Sequence, residues 1–173
     1  MRKVIVNSTP LIILCNIGKL EILKEMYGEV VIPQAVYTEV TVKKDSACQQ
    51  VVSADWIHVE QVKDHSEKKM YKAKLHEGEV EVMMLAQETG KEALVVIDDN
   101  AAKKTAKYLG LTVTGTVGVL LKAKKRGILP EIRPVLESMK KKGFYISGNV
   151  EQMILEQAKE QLSWDLLNYG DGL

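Results

Sequence analysis

The sequence predicts an α/β domain in which helices cover both faces of a mainly parallel sheet. Three observations carry this. Short apolar runs rich in β-branched residues (Val4-Ile5-Val6, Val30-Val31-Ile32, Leu94 to Ile97) recur between stretches of helical spacing. They lack the apolar–polar alternation of a sheet with one wet face, so each strand is buried on both sides. Polar helix-start residues follow the runs at once, as alternating strand–helix units require.

Each element follows in order. Val4 to Val6 stops at Asn7-Ser8-Thr9 and Pro10, so Ser8 is the expected cap of a helix with Pro10 in its first turn. Leu11 to Cys15 and Leu20 to Met26 read as helical, with Gly18 between them. After Val30 to Ile32, Pro33 opens a helix through Val40 whose inner face carries Ala35, Val36 and Val40. Residues 43–55 form a further short helix, Trp56 to Val59 a strand, and His65 to Lys74 a polar surface helix. Glu77 to Glu88 is a helix with Val82, Met83 and Ala86 on one face, and the strand Leu94 to Ile97 ends abruptly at Asp98-Asp99. Asn100 to Leu109 is helical and Gly110 stops it. Thr112-Val113 is a brief strand, and Thr114-Gly115-Thr116 leads into a helix through Lys125. Gly127 and Pro130 separate it from a helix at 131–142. Phe144-Tyr145-Ile146 is expected as a last edge strand and 150–163 as the last helix. Residues 1–173 read as one domain, with 128–173 as a C-terminal helical extension packed on it.

Composition narrows the classes. A chain of 173 residues with 46% hydrophobic content can fill one core. Lys and Arg number 24 against 23 Asp and Glu, so there is no polyionic tail. No run approaches the roughly 20 apolar residues of a membrane span, so no membrane partner is expected. The opening MRKVIVNSTPLIIL is broken by Asn7, Ser8 and Pro10, and reads as a buried strand rather than a signal peptide. Cys15 and Cys48 can make neither a disulfide scaffold nor a complete zinc site. The expectation is a reduced, cytoplasmic protein.

The acids come next. In an open parallel sheet, ligands bind beyond the carboxyl ends of the strands. Asn7 ends the first strand, Asp98 and Asp99 the fourth, and Thr114 and Thr116 follow the fifth. Glu39 stands three and four residues after Val36 and Ala35, on the edge of the core-facing side. Glu79 stands in the first turn of its helix, three and four residues before Val82 and Met83. Inward acids need a positive partner, and no Lys or Arg in those helices is spaced to supply it. A divalent cation is the economical partner, and hard oxygen ligands suit Mg²⁺ or Mn²⁺. Each acid has a plainer reading by itself: Asp99 as a helix cap, Glu79 as a first-turn residue facing the helix dipole, Glu39 as a partly exposed helix residue. Convergence at one sheet edge would favour the metal.

The segments VIVNSTPLI, VIPQAVYTEV, LHEGEVEVMMLA, VVIDDNAAKKTAKYLGL and TVTGTVGVLLKAK, in this order over roughly residues 3–127, together resemble PIN-domain proteins. More narrowly, they look like the prokaryotic branch related to VapC-type toxin ribonucleases of toxin–antitoxin pairs. The resemblance implies a three-layer fold with central strand order 3-2-1-4-5, an acidic cluster binding Mg²⁺ or Mn²⁺, and metal-assisted hydrolysis of RNA. It implies catalytic positions at Asn7, Glu39, Glu79 and Asp99, and metal contacts from Asn7, Glu79, Asp98 and Asp99. Ser8 or Thr9 and Thr116 match small hydroxyl positions that support the metal, its water or the acids. Asn7 departs from the family pattern, which has aspartate there. The change is an introduced inactivation, a natural loss of activity or a natural active variant, and the sequence is compatible with all three.

Charge is uneven along the chain. Residues 101–142 hold 11 Lys and Arg against 2 Asp and Glu, while residues 1–100 hold 12 against 16. An acidic pocket beside a basic flank suits a nuclease, with Lys103, Lys104 and Lys107 as RNA-binding candidates and Lys122 to Arg126 a second basic run. Solvated helix faces are the plainer account of such lysines. His58, His65 and His76 read as surface or structural residues. The leading reading is therefore a metal-dependent endoribonuclease with an RNA substrate. A PIN-fold RNA- or protein-binding module with an incomplete acid cluster is the alternative, and a receiver-like phosphoacceptor a distant third. Val150 to Leu167 places Met153, Ile154, Ala158 and Leu162 near helical spacing. That stretch packs on its own domain or supplies a contact to a homodimer partner or a cognate antitoxin.

Overall fold

The structure, a computed structural model, describes residues 2–66 and 75–160 apart from the Cys48 side chain. The chain divides into two compact units, residues 1–116 and 117–173.

In the first unit, β1 (Lys3–Val6), β2 (Val30–Pro33), β3 (Ile57–Glu60), β4 (Ala93–Val96) and β5 (Thr112–Thr114) form one sheet in the order β3-β2-β1-β4-β5. Every pairing is parallel, with Ile5 opposite both Val31 and Val95. The expected strand order is the one found. Helices α1 (Ser8–Asn16), α2 (Glu21–Tyr27), α3 (Gln34–Thr41), α4 (Ser46–Ser53), α5 (Glu77–Thr89) and α6 (Asn100–Tyr108) lie around the sheet. The central strands are buried along their length, as unbroken apolar runs require. Successive strands run outward from β1 to β3, and the chain then returns to place β4 against the other side of β1. Strand order therefore reverses between β1 and β4. In open parallel sheets this is the point beyond whose carboxyl ends ligands bind.

The second unit is built on α7 (Thr116–Lys125), which begins at the division, with α8 (Arg133–Lys141) and α9 (Gly148–Gln157). Leu120, Ile132, Leu136, Met139 and Leu155 are its largest fully buried side chains among the described residues. Phe144 to Ile146, expected as an edge strand, is irregular chain. Gly143 at φ +89 ends α8, the Phe144 N–H donates to Met139 O, and Ser147 already caps α9 through the Val150 N–H. Two helix ends so close together leave no room for a strand. Helix α9 runs from 148 to 157, while residues 161–173 and most of the polar helix expected at 65–74 lie outside the described residues.

Glu160 ties this unit together. Its Oε2 accepts from the Ile132 N–H (2.7 Å) and Lys124 Nζ (2.8 Å), and its Oε1 from the Arg133 N–H (3.1 Å). The N-terminus of α8 has no side-chain cap of its own, so a distant carboxylate serves as one. Burial pushes the Glu160 carboxyl up, and these donors outweigh it, holding the group below its ordinary range. A depressed carboxylate stabilises the fold above its unfolded pKa and loses that contribution as pH falls through the folded one. Glu160→Gln is expected to cost about 2 kcal/mol at neutral pH, with the gap to the parent narrowing in acid. Urea denaturation across that pH range measures both.

Candidate active site

Asn7, Asp98 and Asp99 follow strand ends, Ser8, Glu79 and Thr116 stand in the first turns of helices, and Glu39 lies in the last turn of α3. Asn7 leaves β1, and its N–H donates to Val96 O (2.9 Å) at the end of β4, so the residue sits where strand order reverses. It is 3% exposed, and its side-chain Oδ1 is buried without a hydrogen-bond partner among the described residues. Such an orphan costs on the order of 1–3 kcal/mol, which marks a site as much as a core. Asn7 occupies the cap position of α1, but its side chain caps nothing. Ser8, expected as the cap, is instead the first helical residue, and its hydroxyl donates to Glu39 Oε2 (2.7 Å).

Glu39 is held at both oxygens. Its Oε1 accepts from the Gly78 N–H (3.0 Å) at the start of α5. Gly78 is glycine for a local reason: a Cβ there would lie 2.3 Å from Glu39 Oε1. Next to Gly78, Glu79 Oε2 accepts from the His76 N–H (3.1 Å) and closes the first turn of α5. Asp99 caps α6, with Oδ2 accepting from the Ala102 N–H (2.9 Å). Asp98 is clasped by Thr116, through the N–H at 2.8 Å and Oγ1 at 2.6 Å.

Electrostatics joins the acids. Burial pushes the Glu79 carboxyl above its ordinary range; the His76 N–H opposes this, and Asp99 and then Glu39 push it further up. Glu79 thus feels two other acids from two other elements. A carboxyl raised in the folded state stabilises below its unfolded pKa, and that contribution is lost as pH rises through the folded value. Glu79→Gln retains an acceptor for His76 and removes the buried charge. It is expected to melt higher than the parent at pH 8, with the two melting alike near pH 3, as thermal unfolding followed by circular dichroism will show.

Other candidates have clear places too. Thr116 is buried and holds Asp98, whereas Thr9 is exposed. Lys103 is half-buried, and a Cβ at Gly115 would come within 2.8 Å of both its Nζ and Asp98 Oδ1. Lys104 and Lys107 are exposed on α6. His58 reaches Glu29 at 3.4 Å on the surface, and His65 and His76 are exposed. Buried Cys15 has its thiol pushed up to about 11 by burial and then by Asp45, which rules it out as a nucleophile at neutral pH.

Sequence reasoning passed over Glu81. It is buried on α5, and its Oε1 accepts from the Ala35 N–H (3.1 Å) in the first turn of α3, the helix that carries Glu39. A second acid two residues after Glu79 was the available signal.

The donor set fits a hard divalent cation in its chemistry. Asn7, Glu39, Glu79 and Asp99 offer only oxygens, one of them buried and unpartnered, and Glu79 carries a charge that its neighbours disfavour. As the side chains stand, no three His, Cys, Asp or Glu among the described residues are gathered into a ready metal cage. Each carboxylate is held by a protein donor instead.

A five-stranded parallel sheet flanked by helices makes this an α/β domain in which Asn7 and Glu79 are buried, Asp98 is half-buried, and Glu39 and Asp99 are exposed. A profile of the PIN-domain family matches residues 3–160, and the chain belongs to that family. No curated protein matches it. PIN domains are generally nucleases, typically using divalent metals, so the family gives this chain a nuclease-type fold and supports a hydrolase in general, with RNA or another nucleic acid as the implied ligand. No helix among the described residues is long and apolar enough to cross a membrane.

Proposed function

We propose that the protein is a divalent-metal-dependent endoribonuclease, the cytoplasmic toxin of a toxin–antitoxin pair, whose activity Asn7 holds down. One observation supports this above the others: an unpartnered oxygen is buried at Asn7, at the switch point of a PIN-family sheet whose Glu79 senses both Asp99 and Glu39. A Mg²⁺ or Mn²⁺ ion supplies, when bound, Lewis-acid activation of water and of the phosphodiester. Asn7, Glu79, Asp98 and Asp99 are the metal contacts in this reading, with Thr116 steadying Asp98. Glu39, fixed by Ser8 and Gly78, orients the attacking water through its remaining lone pairs. Lys103, Lys104 and Lys107, on the helix that Asp99 caps, receive RNA phosphates. The toxin role, a cognate antitoxin and a homodimer rest on the likeness to the VapC-type branch.

The neutral side chain of Asn7 favours a second reading, a PIN-fold binding module without chemistry. Labelled RNA incubated with Mn²⁺, with EDTA as the stop, separates the two. The nuclease reading expects slow, EDTA-sensitive internal cleavage by the parent and faster cleavage by Asn7→Asp. Folded Asn7→Asp that leaves varied RNAs intact while still binding them would establish the binding module.

A further inference from the structure

We propose that the outer face of α6 is a track for unpaired RNA, with Tyr108 as its base-stacking platform. The inference rests on the nuclease reading for its choice of ligand. Tyr108 is 90% exposed, the most exposed of the large hydrophobic side chains among the described residues. An aromatic ring left in water at the end of a helix adds almost nothing to folding, because the area it removes from solvent is small. Its neighbours explain it better. Lys104 and Tyr108 stand four residues apart and Lys104 and Lys107 three, so all three share one face of α6, and all are exposed. Long helical side chains lean back over the preceding turn, which brings the Tyr108 ring towards the Lys104 stem. The buried side of the same helix is Ala102 and Ala106.

Helix α6 itself begins at the site, with Asp99 towards its buried side. Asp99 caps α6, and Tyr108 lies nine residues on, about 13 Å along the axis. A strand with a phosphate at the acid cluster can therefore follow the helix outward, its backbone against Lys104 and Lys107 and a base against Tyr108. A protein partner would not need two ammonium groups flanking the ring, whereas a phosphate backbone with exposed bases complements both features. Bases inside a duplex are already stacked and out of reach, so Tyr108 selects unpaired RNA.

Binding can be read apart from cleavage by fluorescence anisotropy in EDTA, with a short unstructured RNA and the same sequence annealed to its complement. Tyr108→Ala is expected to weaken single-strand binding about tenfold, to leave duplex binding unchanged and to keep the salt dependence. Tyr108→Trp should restore the parent's affinity. Lys104→Ala with Lys107→Ala should weaken both RNAs and flatten the single-strand salt slope by about 1.4. Equal single-strand affinity for parent and Tyr108→Ala overturns the proposal and leaves the face to a protein partner. A parent that binds no RNA at low salt overturns it as well. The first result leaves the nuclease reading standing, the second weighs against it as well, and the cleavage assay decides that reading separately.

Discussion

Asn7→Asp is expected to raise Mn²⁺-dependent RNA cleavage on the order of a hundredfold over the parent. The substitution keeps the side chain's shape and converts a neutral amide oxygen into a carboxylate beside the end of β4. At short range, and with the effective dielectric of a half-buried site, a full charge on a cation is worth several kcal/mol, and about 3 kcal/mol at the transition state corresponds to that factor. The same charge is unwelcome without a cation. Asn7 is 3% exposed, and the Glu79 carboxyl is already pushed up by burial first and then by Asp99 and Glu39. Asn7→Asp should therefore melt below the parent in EDTA and at or above it in Mn²⁺. Rates and melting temperatures that ignore Mn²⁺ would sink this prediction. Asn7→Ala removes the orphaned oxygen and serves as the inert control.

The second large effect is expected at Gly78. Alanine there puts its Cβ 2.3 Å from Glu39 Oε1 and 3.0 Å from Cδ, closer than such atoms approach. The obstacle is the far end of a flexible side chain, so the fold escapes by letting Glu39 swing away. The stability change should be small, and alanine's better helix propensity offsets part of it by up to about 1 kcal/mol. Activity has no such escape. Glu39 loses the Gly78 N–H as it moves, and an ångström of misplacement in a catalytic constellation costs about a hundredfold. Gly78→Ala in the Asn7→Asp protein is thus expected to melt normally and cleave poorly. Once Glu39 is already alanine, adding Gly78→Ala should change the rate little, because the two substitutions act through one contact. Strictly additive losses would mean that Gly78 acts elsewhere.

Much of this was legible in the residues. Fully apolar runs such as Leu94 to Ile97 admit only a strand buried on both faces, and Asp98-Asp99 marks its end without ambiguity. Helix starts were read well where one residue decides them, as at Asp99. Ser8 was misread because a hydroxyl suits a cap and a carboxylate equally, and only the tertiary placement of Glu39 decides between them. Phe144 to Ile146 has strand-like residues, but the helix ends on either side fix its backbone. The partners of the acids were the least legible part. Gly78 and Glu39 are 39 residues apart, Asp98 and Thr116 are 18, and no periodicity encodes either pairing. Glu81 was overlooked for the same reason, since its partner is a backbone N–H on another helix.

In the proposed reading, side chains at the ends of β1 and β4 and in the first turn of α5 form one cation site. Calorimetric titration of Mn²⁺ into Asn7→Asp, and into the same protein carrying Glu79→Gln, Asp99→Asn or the exposed control Glu21→Gln, addresses it directly. Saturable binding that weakens at least about tenfold with Glu79→Gln and with Asp99→Asn, and is untouched by Glu21→Gln, is the predicted result. Mn²⁺ binding that is absent from Asn7→Asp, or equally strong in all four proteins, would contradict it.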